Sequence, residues 1–264
     1  MLRLDFIAPL FVPASRPERF AKAAASGADA VILDLEDAVR PEDKASARQA
    51  VTTAFTRLPV ILRINGAGTP WHGADLDVAI GVRPAAIMVP KAEFSPALQA
   101  IGERAARHGV GVIALIETAR GIAQAERIAA ITGVVRLAFG SVDYAGDLGC
   151  AHTRPALAHA RAQLVLAARL CEKVAPLDGV TTDVEDGSRI EDDARHAREL
   201  GFGGKLCIHP RQIRPVLASW EPTAAEIRWA SRIVATEGAV AIDGEMIDEP
   251  VRARARAILA RSAA

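Results

Sequence analysis

The stretch Gly109-Val-Gly-Val-Ile-Ala-Leu-Ile-Glu-Thr-Ala-Arg-Gly121 contains an uninterrupted apolar run that ends at a carboxylate, Glu117. Apolar residues without polar alternation predict a strand buried on both faces, as in a parallel sheet. The next such run, Val134–Phe139, is also followed by a carboxylate, Asp143. Because the carboxyl ends of consecutive parallel strands meet at one rim, we expect Glu117 and Asp143 to lie there together.

A short apolar strand, a polar turn and an amphipathic helix recur eight times along the 264 residues. The predicted strands are Phe6–Val12, Ala30–Leu35, Val60–Ile64, Ala86–Val89, Val112–Ile116, Arg136–Phe139, Leu177–Thr181 and Lys205–Ile208. The predicted helices include Pro17–Ser26, Pro41–Phe55, Pro96–His108, Ile122–Ile131, Pro155–Val174 and Ser188–Leu200. This alternation predicts a (β/α)8 TIM barrel. The rival is an open doubly wound sheet, whose glycine-rich dinucleotide turn is missing after the first predicted strand.

Composition restricts the classes of function. The 32 basic and 32 acidic residues cancel, which argues against nucleic acid or an anionic membrane as a partner. The amino terminus does not resemble a signal peptide, and no apolar run approaches the roughly 18 residues that span a bilayer. We therefore expect a cytoplasmic protein. The three cysteines are odd in number and far apart, which indicates reduced thiols packed as small apolar groups.

In a barrel, the residues that follow the strands are the candidates for chemistry. Polar or charged side chains stand there after seven of the predicted strands: Asp34, Glu36, Asp37, Arg63, Asn65, Lys91, Glu117, Asp143, Asp147, Asp183 and His209. His209 precedes a proline, and an extended histidine bonded to a backbone carbonyl is the interpretation that we favour for it.

The strand ends carry a series of motifs in a characteristic order: Asp34-Leu-Glu-Asp37, Arg63-Ile-Asn65, Val89-Pro-Lys91, Ile116-Glu-Thr118, Phe139-Gly-Ser-Val-Asp-Tyr-Ala-Gly-Asp-Leu-Gly149, Gly204-Lys-Leu-Cys-Ile-His-Pro210 and Gly244-Glu-Met-Ile-Asp-Glu-Pro250. This order resembles the citrate lyase beta subunit and its CitE-like relatives in the HpcH/HpaI aldolase superfamily. The resemblance implies magnesium-dependent cleavage or formation of a carbon–carbon bond beside a thioester, on a TIM barrel that assembles as a homotrimer or hexamer.

The resemblance assigns the metal to Glu117 and Asp143. Magnesium typically takes one or two protein carboxylates and leaves its other positions to water and substrate oxygens, so these two acids suit Mg²⁺. Glu117 is also predicted to border the bound substrate. Asp147 is the competing ligand, although we expect it to cap a turn. The alternative for Glu117 and Asp143 is a pair of solvated loop acids.

The resemblance assigns Arg63 to substrate binding. A guanidinium suits this role because it can hold a substrate carboxylate or stabilise a developing thioester enolate. A salt bridge from Arg63 to Asp34, Glu36 or Asp37 is the alternative, and both interpretations are compatible. Glu36 and Asp37 are predicted to support catalysis by orienting metal-bound water and Arg63, although Asp37 is also suited to bonding backbone amides in the following turn. Lys91 is open between neutralising the substrate, supporting the metal-binding acids and forming a structural ion pair.

The predicted barrel spans residues 1–220, and residues 221–264 form a helical extension. The resemblance implies that this extension carries a lid over a neighbouring subunit, in which Asp248 transfers a proton at the thioester carbon. Capping of the last helix is the alternative role for Asp248. Arg16 and Lys22 match the basic positions that bind the nucleotide end of coenzyme A in the family.

The sequence thus predicts a magnesium-dependent lyase that cleaves, or forms, a 3-hydroxy-acyl thioester such as citryl-, malyl- or citramalyl-CoA. The products are a 2-oxo acid and an acyl thioester carried by CoA or an acyl carrier. Two alternatives stay open. One is a metal-dependent 2-oxo acid aldolase that needs no CoA, and the other is a subunit that works only with an acyl-carrier partner.

Overall fold

The protein contains eight parallel strands that alternate with helices. The computed structural model describes residues 4–236, 240–242 and 245–262. The strands are β1 Pro9–Pro13, β2 Ala30–Asp34, β3 Val60–Arg63, β4 Ala86–Val89, β5 Gly111–Ile116, β6 Val134–Phe139, β7 Val174–Asp178 and β8 Gly204–Lys205. They pair in chain order from β1 to β8, so each strand lies beside its neighbour in the sequence.

Backbone hydrogen bonds between the two ends of the sheet close it into a barrel. Phe11 in β1 donates its N–H to the carbonyl of Cys207 at 2.9 Å, and Cys207 donates to the carbonyl of Pro9 at 3.0 Å. Lys205 in β8 donates to the carbonyl of Ile7 at 2.8 Å. The TIM barrel is therefore confirmed, and the doubly wound alternative is wrong, because an open sheet would leave these edge groups unpaired.

The barrel interior is filled by side chains from its strands. The interior cluster consists of Phe6, Ala30, Ile32, Ile61, Ala86, Met88, Ile113, Leu115, Ala138, Leu177 and Leu206. All residues of β2, β3 and β4 are buried, since the side chains that do not face the interior pack under the helices. Burial on both faces explains why these strands lack polar alternation.

The helices of the first unit lie between the strands. They are α1 Phe20–Ala24, α2 Lys44–Ala50, α3 His72–Val82, α4 Pro96–Arg107, α5 Ala119–Ala123, α6 Ala125–Ala129, α7 Ser141–Leu148, α8 Arg154–Leu170 and α9 Gly187–Glu199. Single 3₁₀ turns precede α1 and α2, at Pro17–Arg19 and Pro41–Asp43. A third turn, Pro210–Gln212, leads into α10 Ile213–Trp220. Three of these segments begin with the proline predicted to open them, because proline lacks the N–H that a first helical turn leaves unpaired.

Several predicted boundaries were wrong. The helix predicted to reach Phe55 ends at Ala50, where the β-branched run Val51-Thr-Thr53 begins. The predicted helix Ile122–Ile131 is two short helices, α5 and α6. The seventh strand begins at Val174 rather than Leu177, and the helix before it ends at Leu170. Pro176 inside that strand masked its start, because proline usually argues against a strand.

The remaining residues belong to a second compact unit, Leu217–Ala264. It contains α11 Ala224–Val234, a hairpin of β9 Val240–Ile242 and β10 Glu245–Ile247, and α12 Glu249–Ser262. Its own core consists of Ala230, Ile233, Ile247, Ala255 and Ile258. The hairpin was not predicted, and residues 237–239 and 243–244 of the expected lid lie outside the described residues.

No helix within the described residues has both the length and the apolar character required to cross a bilayer.

Arg136 ties together the amino-terminal end of the barrel. Its side chain, which is fully buried early in β6, donates from Nη1 to the carbonyls of Leu4 and Phe6 and from Nε to that of Ala175, each at 2.8 Å. Burial lowers the pKa of Arg136 to about 9, although the charges of Asp29 and Asp5 oppose the shift. The side chain therefore stays charged at neutral pH and links β6, β7 and the segment before β1.

We expect Arg136→Met to destabilise the barrel by about 3 kcal/mol, since three carbonyls lose a buried charged donor and no other group replaces it. Urea unfolding measures this loss. Arg107→Met is the matched control, because Arg107 is exposed at the end of α4. A loss for Arg136→Met no larger than that of the control would contradict the structural role of Arg136.

Candidate active site

The last residues of β2 and β3 form a buried ion pair at the carboxyl rim of the barrel. Arg63 donates from Nε and Nη2 to the two oxygens of Asp34, both at 2.7 Å. Asp34 also accepts the backbone N–H of Glu36 at 2.8 Å. This two-point pairing holds the guanidinium in one orientation. The predicted salt bridge of Arg63 is confirmed.

The outer edge of the guanidinium meets two further acids. Arg63 Nη1 lies 2.8 Å from Glu36 Oε2 and 3.3 Å from Asp37 Oδ2, and the group stacks over the ring of Phe11 at 4.9 Å. Burial alone would lower the pKa of Arg63. The hydrogen bonds and charge of Asp34, together with the charges of Glu36 and Asp37, outweigh burial and raise this pKa above its ordinary value. Arg63 is thus permanently cationic.

Glu117, directly after β5, is almost completely buried, with 2% of its surface exposed. Its Oε1 accepts the backbone N–H of Lys91 at 2.7 Å. Lys91 has a φ of +48°, a conformation that non-glycine residues rarely adopt, which indicates a backbone constrained by its surroundings. On the other side, a Cβ at Gly140 would lie 2.4 Å from Glu117 Oε2, so only glycine fits against this carboxylate.

The surroundings of Glu117 disfavour its ionised form. Burial and then the charge of Glu36 raise the pKa of Glu117 from 4.5 to about 7, and Asp143 contributes in the same direction. The Lys91 N–H and ammonium oppose this shift. Burial also raises the pKa of Glu36, against the attraction of Arg63 and Lys91. The rim therefore carries more negative charge than its own cations neutralise.

Asp143 lies in the first turn of α7, exposed and beside Glu117 in the central cavity. This cavity has a volume of about 390 Å³, and Asp34, Asp37 and Arg63 also line it. The predicted meeting of Glu117 and Asp143 at one rim is therefore observed. Asp147, four residues further on, instead accepts the backbone N–H of Ala119 at 2.7 Å and caps α5.

Two carboxylates, rather than a complete ligand cage, are available for a metal ion. In the part of the chain that the structure describes, no group of three or more His, Cys, Asp or Glu side chains is arranged to hold one. Glu117 and Asp143 fit a hard divalent ion that takes its other ligands from water and substrate. The unneutralised negative charge around Glu117 favours such a cation.

Other predicted residues have structural partners. Lys91 donates from Nζ to Glu36 Oε1 at 3.2 Å, and its Nζ lies 3.9 Å from Glu117 Oε1, so it pairs with site acids while half of it stays exposed. Asn65 donates to Asp75 Oδ2 at 2.6 Å beneath the rim. His209 is extended, as predicted, but the backbone group that its Nδ1 bonds is the N–H of Arg211, at 3.2 Å, instead of the expected carbonyl.

The two residues predicted to bind a nucleotide do not share one cavity. Arg16 lines a cavity of about 760 Å³ that has Pro13 and Ala38 in common with the central cavity. Lys22 lies exposed on α1 and is not among the residues of that lining. Sequence reasoning missed Arg19 and Arg40, which line the cavity with Arg16. Their signal was a basic residue close to the proline that opens a segment, since Arg40 directly precedes Pro41 and Arg19 ends the turn that Pro17 opens.

Asp248 belongs to the second unit, in the turn between β10 and α12. Its Oδ1 accepts the N–H of Val251 at 3.2 Å, so the exposed carboxylate caps α12 in this structure. The capping role is therefore observed, and the proton-transfer role stays a prediction.

The sequence profile of the family HpcH/HpaI aldolase/citrate lyase matches residues 8–210. A citrate lyase subunit beta-like protein of Mycobacterium tuberculosis is 40% identical over 96% of this chain and 94% of its own. A (3S)-malyl-CoA thioesterase of Cereibacter sphaeroides is 31% identical over 98% of this chain and 95% of its own.

A solved structure is similar over the full length of both chains. It is the crystal structure of the protein CitE from Mycobacterium tuberculosis in complex with magnesium, acetoacetate and coenzyme A. The TM-score is 0.89, the sequence identity is 36%, and 100% of each chain is covered.

We expect Glu117→Gln to stabilise the protein in a pH-dependent way. The wild-type carboxyl loses its proton near pH 4.5 when unfolded and near pH 7 when folded. Wild-type stability therefore falls between those values, whereas glutamine does not titrate. The difference in unfolding free energy between Glu117→Gln and the wild type should widen from pH 4.5 to pH 7, reach about 3 kcal/mol, and stay constant at higher pH.

Urea unfolding in EDTA at several pH values from 5 to 8 measures this gap. Glu103→Gln, at an exposed position of α4, is the control for which no comparable widening is expected. A Glu117→Gln gap that does not change with pH would contradict the raised pKa of Glu117.

Proposed function

Since the chain belongs to the HpcH/HpaI aldolase/citrate lyase family, we propose that it is a magnesium-dependent carbon–carbon lyase. Its substrate is a 3-hydroxy-acyl thioester of the citryl-, malyl- or citramalyl-CoA type, cleaved to a 2-oxo acid and an acyl thioester or formed from them. The observation that carries the proposal is the presence of Glu117, Asp143 and Arg63 around one cavity. Magnesium, acetoacetate and coenzyme A in the CitE structure support it.

Glu117 and Asp143 would hold Mg²⁺. The bound ion would supply a positive charge that polarises substrate oxygens. Glu117 is positioned for this by the Lys91 N–H and by the absence of a side chain at Gly140. Because its carboxyl has a pKa of about 7, binding of the cation releases a proton when the site is loaded near or below neutral pH.

Arg63 binds the substrate and stabilises negative charge on the thioester oxygen. Asp34 fixes the guanidinium through Nε and Nη2. Three of the five guanidinium N–H groups are used in hydrogen bonds to Asp34 and Asp37, which leaves at most two for a ligand. Preorganised donors of this kind act without reorganisation during the reaction. Glu36 and Asp37 support catalysis by holding the outer edge of the guanidinium.

Asp248 transfers the proton to and from the thioester carbon, acting from a neighbouring subunit of a cytoplasmic homotrimer or hexamer. The family resemblance of the segment that ends at Pro250 supports this role. The carboxylate is exposed, and its bond to Val251 occupies only Oδ1, so Oδ2 is available for proton transfer. The lid excludes water while the enolate exists.

The nucleotide end of coenzyme A occupies the cavity lined by Arg16, Arg19 and Arg40. Three guanidinium groups suit the phosphates, and the cavity adjoins the central one through Pro13 and Ala38, so the thioester end reaches Arg63. Lys22 lies at the surface outside this cavity and is retained as a contact of coenzyme A there.

The malyl-CoA thioesterase relative supports a second reaction, hydrolysis of the thioester. Product analysis separates the candidates. Carbon–carbon cleavage gives a 2-oxo acid and an acyl thioester, whereas hydrolysis gives the free hydroxy acid and free CoA. An aldolase without CoA would turn over free hydroxy acids, and a subunit that needs an acyl carrier would turn over no CoA ester. The 2-oxo acid must appear with Mg²⁺ and a CoA ester for the lyase proposal to stand.

We expect Asp143→Asn to lower magnesium-dependent turnover by about 100-fold or more, because the site loses one of two carboxylates that hold the ion. Asp147→Asn is the matched control on the same helix and should keep nearly full activity, since Asp147 caps α5. Magnesium affinity by calorimetry should fall for Asp143→Asn and for Glu117→Ala. Equal losses at positions 143 and 147, or full activity of Glu117→Ala, would refute the metal assignment.

For Asp248→Asn we expect unchanged magnesium affinity and a kcat lower by about 10²- to 10⁴-fold, the range for loss of a general acid or base. Glu249→Gln, at an adjacent exposed carboxylate that bonds Arg256, is the control. Exchange of the acyl thioester's methyl protons with deuterated water measures the proton transfer directly. If that exchange persists in Asp248→Asn, another residue transfers the proton.

A further inference from the structure

A second cavity of about 290 Å³ lies beside the central one, between the residues that follow β6 and β7. Val180 lines both cavities. The second cavity contains none of the acids discussed above, and the proposed lyase reaction does not use it. Its volume suits a small anion or a short organic acid, at the lower end of the range for ligand cavities.

Four basic side chains line the cavity, namely Arg154, Arg161, Arg189 and Lys205, together with two acids, Asp192 and Asp193. Arg154 bonds both of these acids and Arg189 lies 3.8 Å from Asp183, so the buried Arg161 and Lys205 are the cations that these acids do not pair with. Burial lowers the pKa of His152, and the charges of Arg161 and Lys205 act in the same direction, so His152 adds an uncharged ring. The amino-terminal turn of α8, a helix of 17 residues, also faces this region through Thr153 and Arg154.

Arg161 carries the strongest sign of a missing ligand. Only 8% of its side chain is exposed, and Nε and Nη2 donate to the two oxygens of Asp178 at 2.9 and 3.4 Å. Its Nη1 is buried and has no hydrogen-bond partner among the described residues. A charged donor left unpaired in the interior is unfavourable, so an acceptor at this point would stabilise the protein.

Lys205 points to the same place. Its ammonium, 2% exposed, donates to Asp178 Oδ2 at 3.1 Å and to the carbonyl of Gly179 at 2.6 Å. An ammonium has three N–H donors, so one is left over. The single charge of Asp178 neutralises one of the two buried cations, Arg161 and Lys205. The three side chains together therefore keep a net positive charge. Partly exposed Arg154 and Arg189 stand at the same cavity.

We propose that this cavity is a binding site for a small oxyanion, which accepts hydrogen bonds from Arg161 Nη1 and Lys205 Nζ. The anion is inorganic phosphate or the carboxylate of a small organic acid, since both offer oxygens to these donors. The site adjoins the metal-binding helix α7. His152 Nε2 lies 2.9 Å from Ser141 Oγ, and a Cβ at Gly179 would lie 2.1 Å from that same oxygen. One layer of residues thus separates the bound anion from the turn that carries Asp143.

Calorimetric titration in EDTA, without Mg²⁺ or coenzyme A, tests the site with inorganic phosphate and, separately, with succinate. We expect saturable binding of one equivalent of at least one probe, and the tighter probe identifies the kind of oxyanion. Arg161→Lys keeps the pair with Asp178 but removes the free Nη1, and it should weaken binding about tenfold or more. The double variant Arg154→Gln/Arg189→Gln, at exposed positions, should weaken it similarly and guards against misfolding of Arg161→Lys.

Two controls locate the anion. Arg104→Gln removes an exposed guanidinium that bonds Asp77 on another face, and it should leave affinity unchanged. Arg16→Gln removes a cation from the cavity proposed for the nucleotide. If Arg16→Gln abolishes binding while the Arg161 and Arg154/Arg189 variants bind normally, the anion lies in that other cavity and the proposal is overturned. Absence of saturable binding for both probes overturns it equally.

Discussion

The closure of the sheet between its first and last strands is the constraint on which the rest of the molecule depends. Cys207 both accepts from Phe11 and donates to Pro9, and Lys205 donates to Ile7. These bonds remove the two free edges that eight parallel strands would otherwise expose. Parallel pairing places the carboxyl ends of all strands at one edge, and closure bends that edge into a ring, so that residues far apart in the sequence, such as Asp34 and Glu117, line one cavity. At the opposite end, Arg136 in β6 joins β7 and the segment before β1 through three carbonyls.

Burial at the rim sets the chemistry of its acids. Arg63 satisfies Asp34 almost completely, but Glu117 has one backbone donor and a distant ammonium as its partners. Its ionised form is therefore unfavourable in the protein alone, and a divalent cation would reverse that balance. Gly140 matters for the same reason, because any side chain there would occupy the space of the carboxylate. Ionised Glu117 thus lowers the stability of the protein alone, although the proposed magnesium site requires this carboxylate.

Beside the rim, the second cavity contains two buried cations. Asp178 and the two cations that hold it, Arg161 and Lys205, are buried together after β7 and β8. One acid cannot satisfy all donors of an arginine and a lysine, and Arg161 Nη1 has no hydrogen-bond partner among the described residues. The central cavity with its acids and the second cavity with its buried cations share a wall at Val180.

Apolar runs and their spacing were enough to predict eight strands, the barrel and the position of Glu117 and Asp143, because burial on both faces removes polar residues from a parallel strand. Some predicted boundaries were wrong at residues with strong local preferences. At Pro176, packing overrides the tendency of proline to avoid strands, whereas at Val51 the β-branched run reinforces the end of the helix. The family resemblance favoured Asp143 over Asp147, whereas apolar spacing alone did not distinguish two acids on one helix. The structure distinguishes them, because Asp147 accepts the N–H of Ala119 and Asp143 lines the cavity. The raised pKa of Glu117 and the unpaired Nη1 of Arg161 likewise arise from neighbours brought together by folding, because burial and charge act through space rather than along the chain.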